Sequence, residues 1–106
     1  MARRKPPLPT LPAKEALIIE LLSTSAGRGE MYGLELVAAS KGRLKRGTVY
    51  VTLGRMEEKG LVASRLEDAP PDAGGLPRRL YEATALGRRV YDAWSHVARL
   101  LPEFAR

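Results

Sequence analysis

The sequence predicts a mainly α-helical fold with one small β-hairpin, and three observations support this. Helical periodicity recurs between residues 13 and 60, a stretch of alternating periodicity follows, and one long amphipathic segment lies near the C-terminus. Three helices, a two-stranded wing and a long C-terminal helix in this order predict a winged helix-turn-helix. We expect a flexible, basic, Pro-rich arm at 1–12, a winged helix-turn-helix domain at 13–83 and the C-terminal helix at 84–106.

The composition favours a polyanionic partner, nucleic acid before membrane. The chain of 106 residues has a net charge of +6, and residues 1–60 hold eleven Lys and Arg against six Asp and Glu. It has no cysteine, which excludes disulfides, thiolate metal sites and Cys nucleophiles. No apolar run approaches the roughly 18 residues of a membrane span, and Pro-rich sequence follows the basic start in place of a signal peptide's apolar core. We therefore expect a soluble, cytoplasmic protein.

The first two predicted helices each carry an unusual feature. The helix at Ala13–Ser23 is apolar over more than one face, which calls for a second packing surface from this chain or another. The helix at Glu30–Ser40 has Gly33 in its first turn, which costs about 1 kcal/mol relative to alanine and indicates close packing there. Its predicted apolar stripe is Met31, Leu34, Val37 and Ala38.

The stretch Gly47–Val62 predicts one helix with two different faces. Val49, Leu53 and Met56 form its buried stripe, Thr48 is expected to cap its start with the hydroxyl, and Gly60 to end it. The other face presents hydroxyls, an aromatic ring, a methyl-bearing side chain and a cation, as helices that read a DNA major groove do. These residues are Thr48, Tyr50, Val51, Thr52 and Arg55.

A basic cluster precedes this helix. Between residues 41 and 55 the chain has five cations and no acidic residue: Lys41, Arg43, Lys45, Arg46 and Arg55. Cations beside a helix N-terminus favour a phosphate, because the helix dipole and free N–H groups already attract an anion. The alternative is a solvated loop that is simply basic.

A β-hairpin is predicted after Gly60. Residues 61–66 and 78–84 alternate in polarity, and the Pro- and Gly-rich tip between them excludes regular structure. As a wing beside the helix-turn-helix, its cations Arg65, Arg78 and Arg79 are within reach of phosphates or the minor groove.

The last predicted helix runs from Thr84 to about Leu101. Its apolar stripe consists of Leu86, Val90, Trp94, Val97 and Leu101, which is typical of an intermolecular packing surface or of a lid on the chain's own core. Trp94 fits core packing or a flat wall for an aromatic effector at a dimer interface. The lone His96 has no arranged partner, so neither catalysis nor a metal site is expected.

Three motifs resemble the PadR family of winged-helix transcriptional regulators. They are Met31–Leu36, Gly47–Tyr50 continued by Leu53, Arg55, Glu57 and Gly60–Val62, and Arg78–Tyr81 followed by Thr84 and Gly87. Val51 departs from the proline that often follows the family's recognition-helix tyrosine. The resemblance implies a homodimer, with helix 4 of one subunit against helices 1 and 4 of the other. It also implies repression at palindromic operators and, in some members, release by a small aromatic or cationic effector.

The sequence therefore predicts a homodimeric, DNA-binding repressor without a cofactor, and a winged-helix protein-interaction adaptor is the alternative. The expected DNA contacts are Tyr32, Lys45, Arg46, Thr48, Tyr50, Thr52, Arg55, Arg65, Arg78 and Arg79. The expected dimer contacts are Leu17, Leu21, Leu86, Val90, Trp94, Val97 and Leu101, with Trp94 also the candidate effector contact.

Overall fold

A computed structural model describes residues 11–24, 29–67 and 77–101. Within these residues the fold is a winged helix with four helices and a three-stranded antiparallel sheet, as predicted except for the number of strands. Residues 1–10 of the predicted arm and 68–76 of the predicted hairpin tip lie outside the described residues. The elements in chain order are α1 (Ala13–Thr24), β1 (Glu30–Tyr32), α2 (Gly33–Ala39), α3 (Val49–Glu58), β2 (Val62–Glu67), β3 (Arg78–Ala83) and α4 (Ala85–Leu100). None of the described helices is long and apolar enough to cross a bilayer.

The sheet has one strand more than the predicted two-stranded wing. Its order is β1-β3-β2, and β1 pairs with β3 through Glu30 opposite Glu82 and Tyr32 opposite Leu80. The prediction that a helix starts at Glu30 was therefore wrong, because the backbone groups of residues 30–32 hydrogen-bond across the sheet. α2 begins only at Gly33.

The late start of α2 also changes its buried face. Leu34, predicted in the apolar stripe, is 44% exposed, and Ala38 is exposed as well. Leu36, outside the predicted stripe, is completely buried. Met31 is buried as predicted, but as the central residue of a strand. The prediction failed because it extended one helical period across a strand–helix boundary.

The core lies around α1 and accounts for the unusual apolarity of that helix. Leu17, Ile18, Ile19 and Leu22 are all buried within this one chain. Leu11 is also buried, at 4% exposure, although the sequence assigns it to the flexible arm. The second packing surface expected for α1 thus comes largely from its own chain.

α3 has the predicted buried stripe and the predicted C-terminal end. Val49, Leu53 and Met56 are at most 1% exposed. Gly60 adopts φ +79°, its N–H donates to the Glu57 carbonyl, and the Leu61 N–H donates to the Met56 carbonyl. These bonds form a Schellman motif, which favours glycine at the left-handed position.

The predicted cap at Thr48 was wrong. The Thr48 hydroxyl makes no capping bond to the start of α3 and donates instead, over 3.4 Å, to the Lys45 carbonyl. The backbone N–H groups of Thr48 and Val49 donate to the same carbonyl, at 3.1 and 2.9 Å. A tight turn at residues 45–48 therefore takes the place of a side-chain cap.

α4 is fastened to the end of α3. Thr84 caps α4 by accepting from the Gly87 N–H at 2.9 Å, while its own hydroxyl donates to the Gly60 carbonyl at 2.6 Å. The Thr84 N–H donates to the Leu61 carbonyl at 3.0 Å. Gly60 and Leu61 thus end α3 and also accept hydrogen bonds from the start of α4.

A partly buried ion pair joins α1 to the end of α3. Both carboxylate oxygens of Glu15, whose side chain is 6% exposed, lie 3.0 Å from Lys59 Nζ. A carboxylate at this depth is costly to leave unpaired. Lys59 itself keeps contact with solvent, because its side chain is 49% exposed.

Two glycine-to-alanine substitutions should have opposite effects on stability. A Cβ at Gly87 would lie 2.1 Å from the Leu61 carbonyl oxygen, so Gly87→Ala should lower the free energy of unfolding by about 2–3 kcal/mol. A Cβ at Gly54, in the middle of α3, meets nothing within 4 Å. Gly54→Ala should therefore raise it by about 0.5–1 kcal/mol through helix propensity. Urea denaturation measures both, and equal effects of the two substitutions would contradict the proposed close approach at Gly87.

Removing the partner of Glu15 should also be costly. We expect Lys59→Met to lower the free energy of unfolding by about 2 kcal/mol, less than for a fully buried pair because Lys59 is half-exposed. Lys14→Met, which changes an exposed lysine on α1, is the matched control and should change it by less than about 0.5 kcal/mol. A loss for Lys59→Met no larger than the control's would show that Glu15 does not depend on Lys59.

Candidate nucleic-acid interface

The outward side of α3 carries side chains that the core does not use. Tyr50 is 48% and Val51 56% exposed, and Gly54 and Arg55 are exposed on the same side. Arg55 forms no ion pair with any described residue. This surface, opposite the buried stripe, is available to a partner.

The hydroxyls predicted on α3 lie at its flank and start. Thr48 is exposed, and Thr52 is half-buried with its hydroxyl donating to the Thr48 carbonyl at 3.2 Å. Each hydroxyl donates to a backbone carbonyl of its own chain, which leaves its oxygen free to accept from a ligand.

The turn between α2 and α3 is held from inside and directs its cations outward. Ser40, 3% exposed, donates from Oγ to the Val37 carbonyl at 2.7 Å and accepts from the Leu44 N–H at 2.9 Å. Leu44 is buried, whereas Lys41 and Gly42 take left-handed conformations, with φ of +55° and +92°. Two side chains therefore fix the turn while its charged residues remain outside.

We call the exposed cations of this turn the basic turn: Lys41, Arg43, Lys45 and Arg46. None of them forms an ion pair with another residue in the described ranges. They lie immediately before the N-terminus of α3, where the helix dipole and the backbone N–H groups favour an anion. The geometry fits contact with a polyanion.

The hairpin of β2 and β3, here called the wing, has a face on the α3 side. Arg79 and Leu66 are opposite each other in the register and share this face with Ser64. Arg79 Nη1 donates to Ser64 Oγ at 2.9 Å, and Ser64 Oγ donates to Glu57 of α3 at 2.8 Å. Arg79 thus stands beside α3, where the basic face continues onto the wing.

The other wing cations lie on the opposite face of the sheet and are already paired. Arg65 lies 2.8 Å from a Glu30 carboxylate oxygen, and Arg78 lies 3.9 Å from Glu67. Arg78 also stacks over the Tyr32 ring, 4.5 Å from its centroid. The structure therefore separates the predicted wing contacts by sheet face: Arg79 is on the face towards α3, and Arg65 and Arg78 are paired on the opposite face.

Tyr32 is tied into the same paired face. Its hydroxyl donates to Glu67. This hydrogen bond, and to a smaller extent desolvation, raise the pKa of Tyr32 above its ordinary value. The backbone N–H of Tyr32 donates to Glu35 at 2.8 Å, at the start of α2. The hydroxyl and the backbone N–H of Tyr32 are thus both hydrogen-bonded within the chain.

An open cleft of about 510 Å³ lies between the start of α2, α3 and the wing. Sequence reasoning missed two of its apolar lining residues, Leu34 and Leu66, which are 44% and 61% exposed. Leu66 was placed in the first strand of the predicted hairpin without a role in the site, and Leu34 was placed in the apolar stripe of its helix. Tyr50 and Arg79 line the same cleft, and so do Tyr32 and Arg78, so the predicted and the missed residues share one surface.

Comparison with known proteins identifies the family. The sequence profile of the transcriptional regulator PadR-like family matches residues 21–93. The chain belongs to this family. No protein with a curated description matches the PadR-family chain.

Solved structures agree with the assignment. A PadR-family transcriptional regulator from Eggerthella lenta is 26% identical, with a TM-score of 0.70 over 86% of this chain and 76% of that one. A PadR-family regulator from Clostridium difficile is 27% identical, with a TM-score of 0.65 over 84% and 90%. Bacillus subtilis PadR, solved in complex with operator DNA, is 19% identical, with a TM-score of 0.66 over 77% of this chain and 46% of that one, and shows the shared fold.

The PadR-family chain also has an apolar surface on α4. Leu86 and Leu101 are 42% and 44% exposed, and Val90, Trp94 and Val97 are only half-buried by their own chain. The Trp94 ring lies 6.2 Å from that of Tyr91, whose hydroxyl donates to Glu20 of α1 at 2.9 Å. The polar side of the helix carries exposed His96 and Arg99.

The two α1 residues predicted at a dimer interface differ in accessibility. Leu17 is 7% exposed and belongs to the core of its own chain. Leu21 is half-buried at the edge of that core. Of the two, Leu21 is the more accessible to a second subunit.

Proposed function

We propose that this PadR-family chain is a sequence-specific DNA-binding regulator that represses transcription as a homodimer at a palindromic operator. The observation that carries the proposal is the outward side of α3, where Tyr50, Val51 and Arg55 are exposed and adjoin the basic turn, whose cations form no ion pair with a described residue. A helix with such side chains fits a major groove. The DNA-bound relative with the same fold supports this choice of partner.

In this proposal the residues divide by role. Thr48, Tyr50, Thr52 and Arg55 contact base edges or the phosphates next to them, while Lys45, Arg46 and Arg79 contact phosphates. The remaining predicted contacts, Tyr32, Arg65 and Arg78, contribute less, because each is already bound to an acidic side chain of the chain. DNA binding then resides in residues 13–83.

The homodimer is proposed to form through α4, within residues 84–106. The exposed part of its apolar stripe would be covered by the same stripe of a second subunit and by α1 around Leu21. The half-buried Trp94 offers a ring face to a small aromatic or cationic effector at this interface. Release of DNA would follow if the effector changed the crossing of the two α4 helices.

Phosphate and base contacts should respond differently to substitution. Lys45→Ala and Arg46→Ala should weaken binding to every duplex and reduce the salt dependence by about one unit of slope each. Arg55→Ala should instead lower the preference for the operator over random DNA by about 1–3 kcal/mol. Titrations at several salt concentrations, with duplexes selected by the wild-type chain from a random library, measure both.

The matched control is Arg99→Ala, which removes an exposed arginine from the polar side of α4. It should change neither the slope nor the preference. Equal losses on selected and random DNA for Arg55→Ala would argue against base reading. A wild-type chain that binds no duplex at low salt would favour the protein-interaction adaptor.

The dimer is tested by placing a negative charge either on the apolar side or on the polar side of α4. Val97→Asp buries two carboxylates in the proposed symmetric interface and should weaken the dimer by about 100-fold or more. His96→Asp makes the same change at the neighbouring, exposed position and should leave the dimer intact. Sedimentation at micromolar concentration distinguishes them, and a wild-type chain that is monomeric would contradict the proposal.

A further inference from the structure

Gly33 lies directly beneath the ring of Tyr50. A Cβ placed on Gly33 would be 2.6 Å from Cε1, 2.7 Å from Cζ and 2.8 Å from the hydroxyl oxygen of Tyr50. These distances are far below van der Waals contact, so the outer half of the ring occupies the space that any other residue's side chain would fill. Gly33 is itself buried, as the first residue of α2.

Backbone conformation does not explain a glycine at this position. The glycines with positive φ among the described residues are Gly29, Gly42 and Gly60, and Gly33 is not one of them. Alanine would fit the backbone of α2 there and would favour the helix by up to about 1 kcal/mol. The group that a Cβ at this position would displace is the ring of Tyr50.

The contact determines where the Tyr50 ring points. Tyr50 is the second residue of α3 and is 48% exposed, so solvent leaves the outer side of its ring unrestrained. On the inner side, the ring lies against the start of α2. Because Gly33 of α2 has no side chain, the ring of Tyr50 on α3 can lie against the protein surface there.

We infer that Gly33 is a positioning residue for DNA recognition, because it seats the Tyr50 ring in the direction from which it meets the DNA. This inference rests on the proposed function and deepens it. Gly33 touches no DNA itself, and its contribution to specificity passes through Tyr50.

The inference predicts that stability and specificity change in opposite directions. In Gly33→Ala the new methyl displaces the ring, which is the far end of a flexible side chain with free space on its solvent side. The fold is retained and the melting temperature stays equal or rises. The ratio of affinities for selected over random duplex falls by about tenfold, the scale of one lost base contact.

A double-mutant cycle tests the route through Tyr50. The duplex is the one enriched by the wild-type chain from a random library. Tyr50→Ala should lower the affinity ratio by about tenfold, and Gly33→Ala should have no further effect once the ring is absent. Additive losses, or a Gly33→Ala chain as specific as the wild type, would overturn the inference.

A measurement without DNA separates the contact from the proposed function. In the wild type, the ring current of Tyr50 should shift the NMR resonances of the Gly33 Hα protons, and Tyr50→Ala should return them to ordinary values. A wild type without this shift overturns the positioning role. A wild type that has the shift but selects no duplex overturns the proposed function, and the positioning role with it.

Discussion

The turn at Gly60 and Leu61 is the junction on which the arrangement of the other elements depends. Leu61 donates its N–H to the last turn of α3 and accepts from Thr84 with its carbonyl, while Gly60 accepts from the Thr84 hydroxyl. Gly87 then allows α4 to approach the Leu61 carbonyl more closely than a side chain would permit. Because two residues end one helix and hold the next, the directions of α3 and α4 are coupled through backbone hydrogen bonds, which tolerate little displacement.

The distribution of paired and unpaired charge follows from the sheet register. Adjacent residues of a strand point to opposite faces, so Arg78 and Arg79 meet different surroundings although they are neighbours in sequence. One lies with acidic residues on the outer face, and the other lies beside α3. The net charge of +6 is therefore not spread evenly: a basic surface runs from the turn at 41–46 past α3 to one face of the wing.

The sequence was most informative where a single period ran the full length of an element. The buried stripe of α3 and the extent of α4 were predicted for this reason, and they are confirmed. The end of α3 was predicted from Gly60 itself, because glycine readily takes the left-handed conformation that ends a helix, and it is also confirmed. β1 was missed because three residues are too few to display a strand period, and the helix that follows imposed its own. Which of the wing cations Arg65 and Arg79 lies on the face towards α3 was not predicted, because that depends on which residues pair across the hairpin. The unfavourable Gly33 was recognised as a sign of close packing, but its partner Tyr50 lies 17 positions away and only the folded chain identifies it.

The contacts of α3 also bear on how operator choice can diverge among related proteins. Val51, Gly54 and Arg55 are exposed and have no role in the core, so each can be replaced at little cost in folding. Tyr50 is different, because its ring and the glycine beneath it occupy one shared space. If α3 reads DNA as proposed, new preferences arise readily by single replacements at the first three positions. A replacement of Tyr50 alters its contact with residue 33, so we expect the residues at positions 33 and 50 to change together.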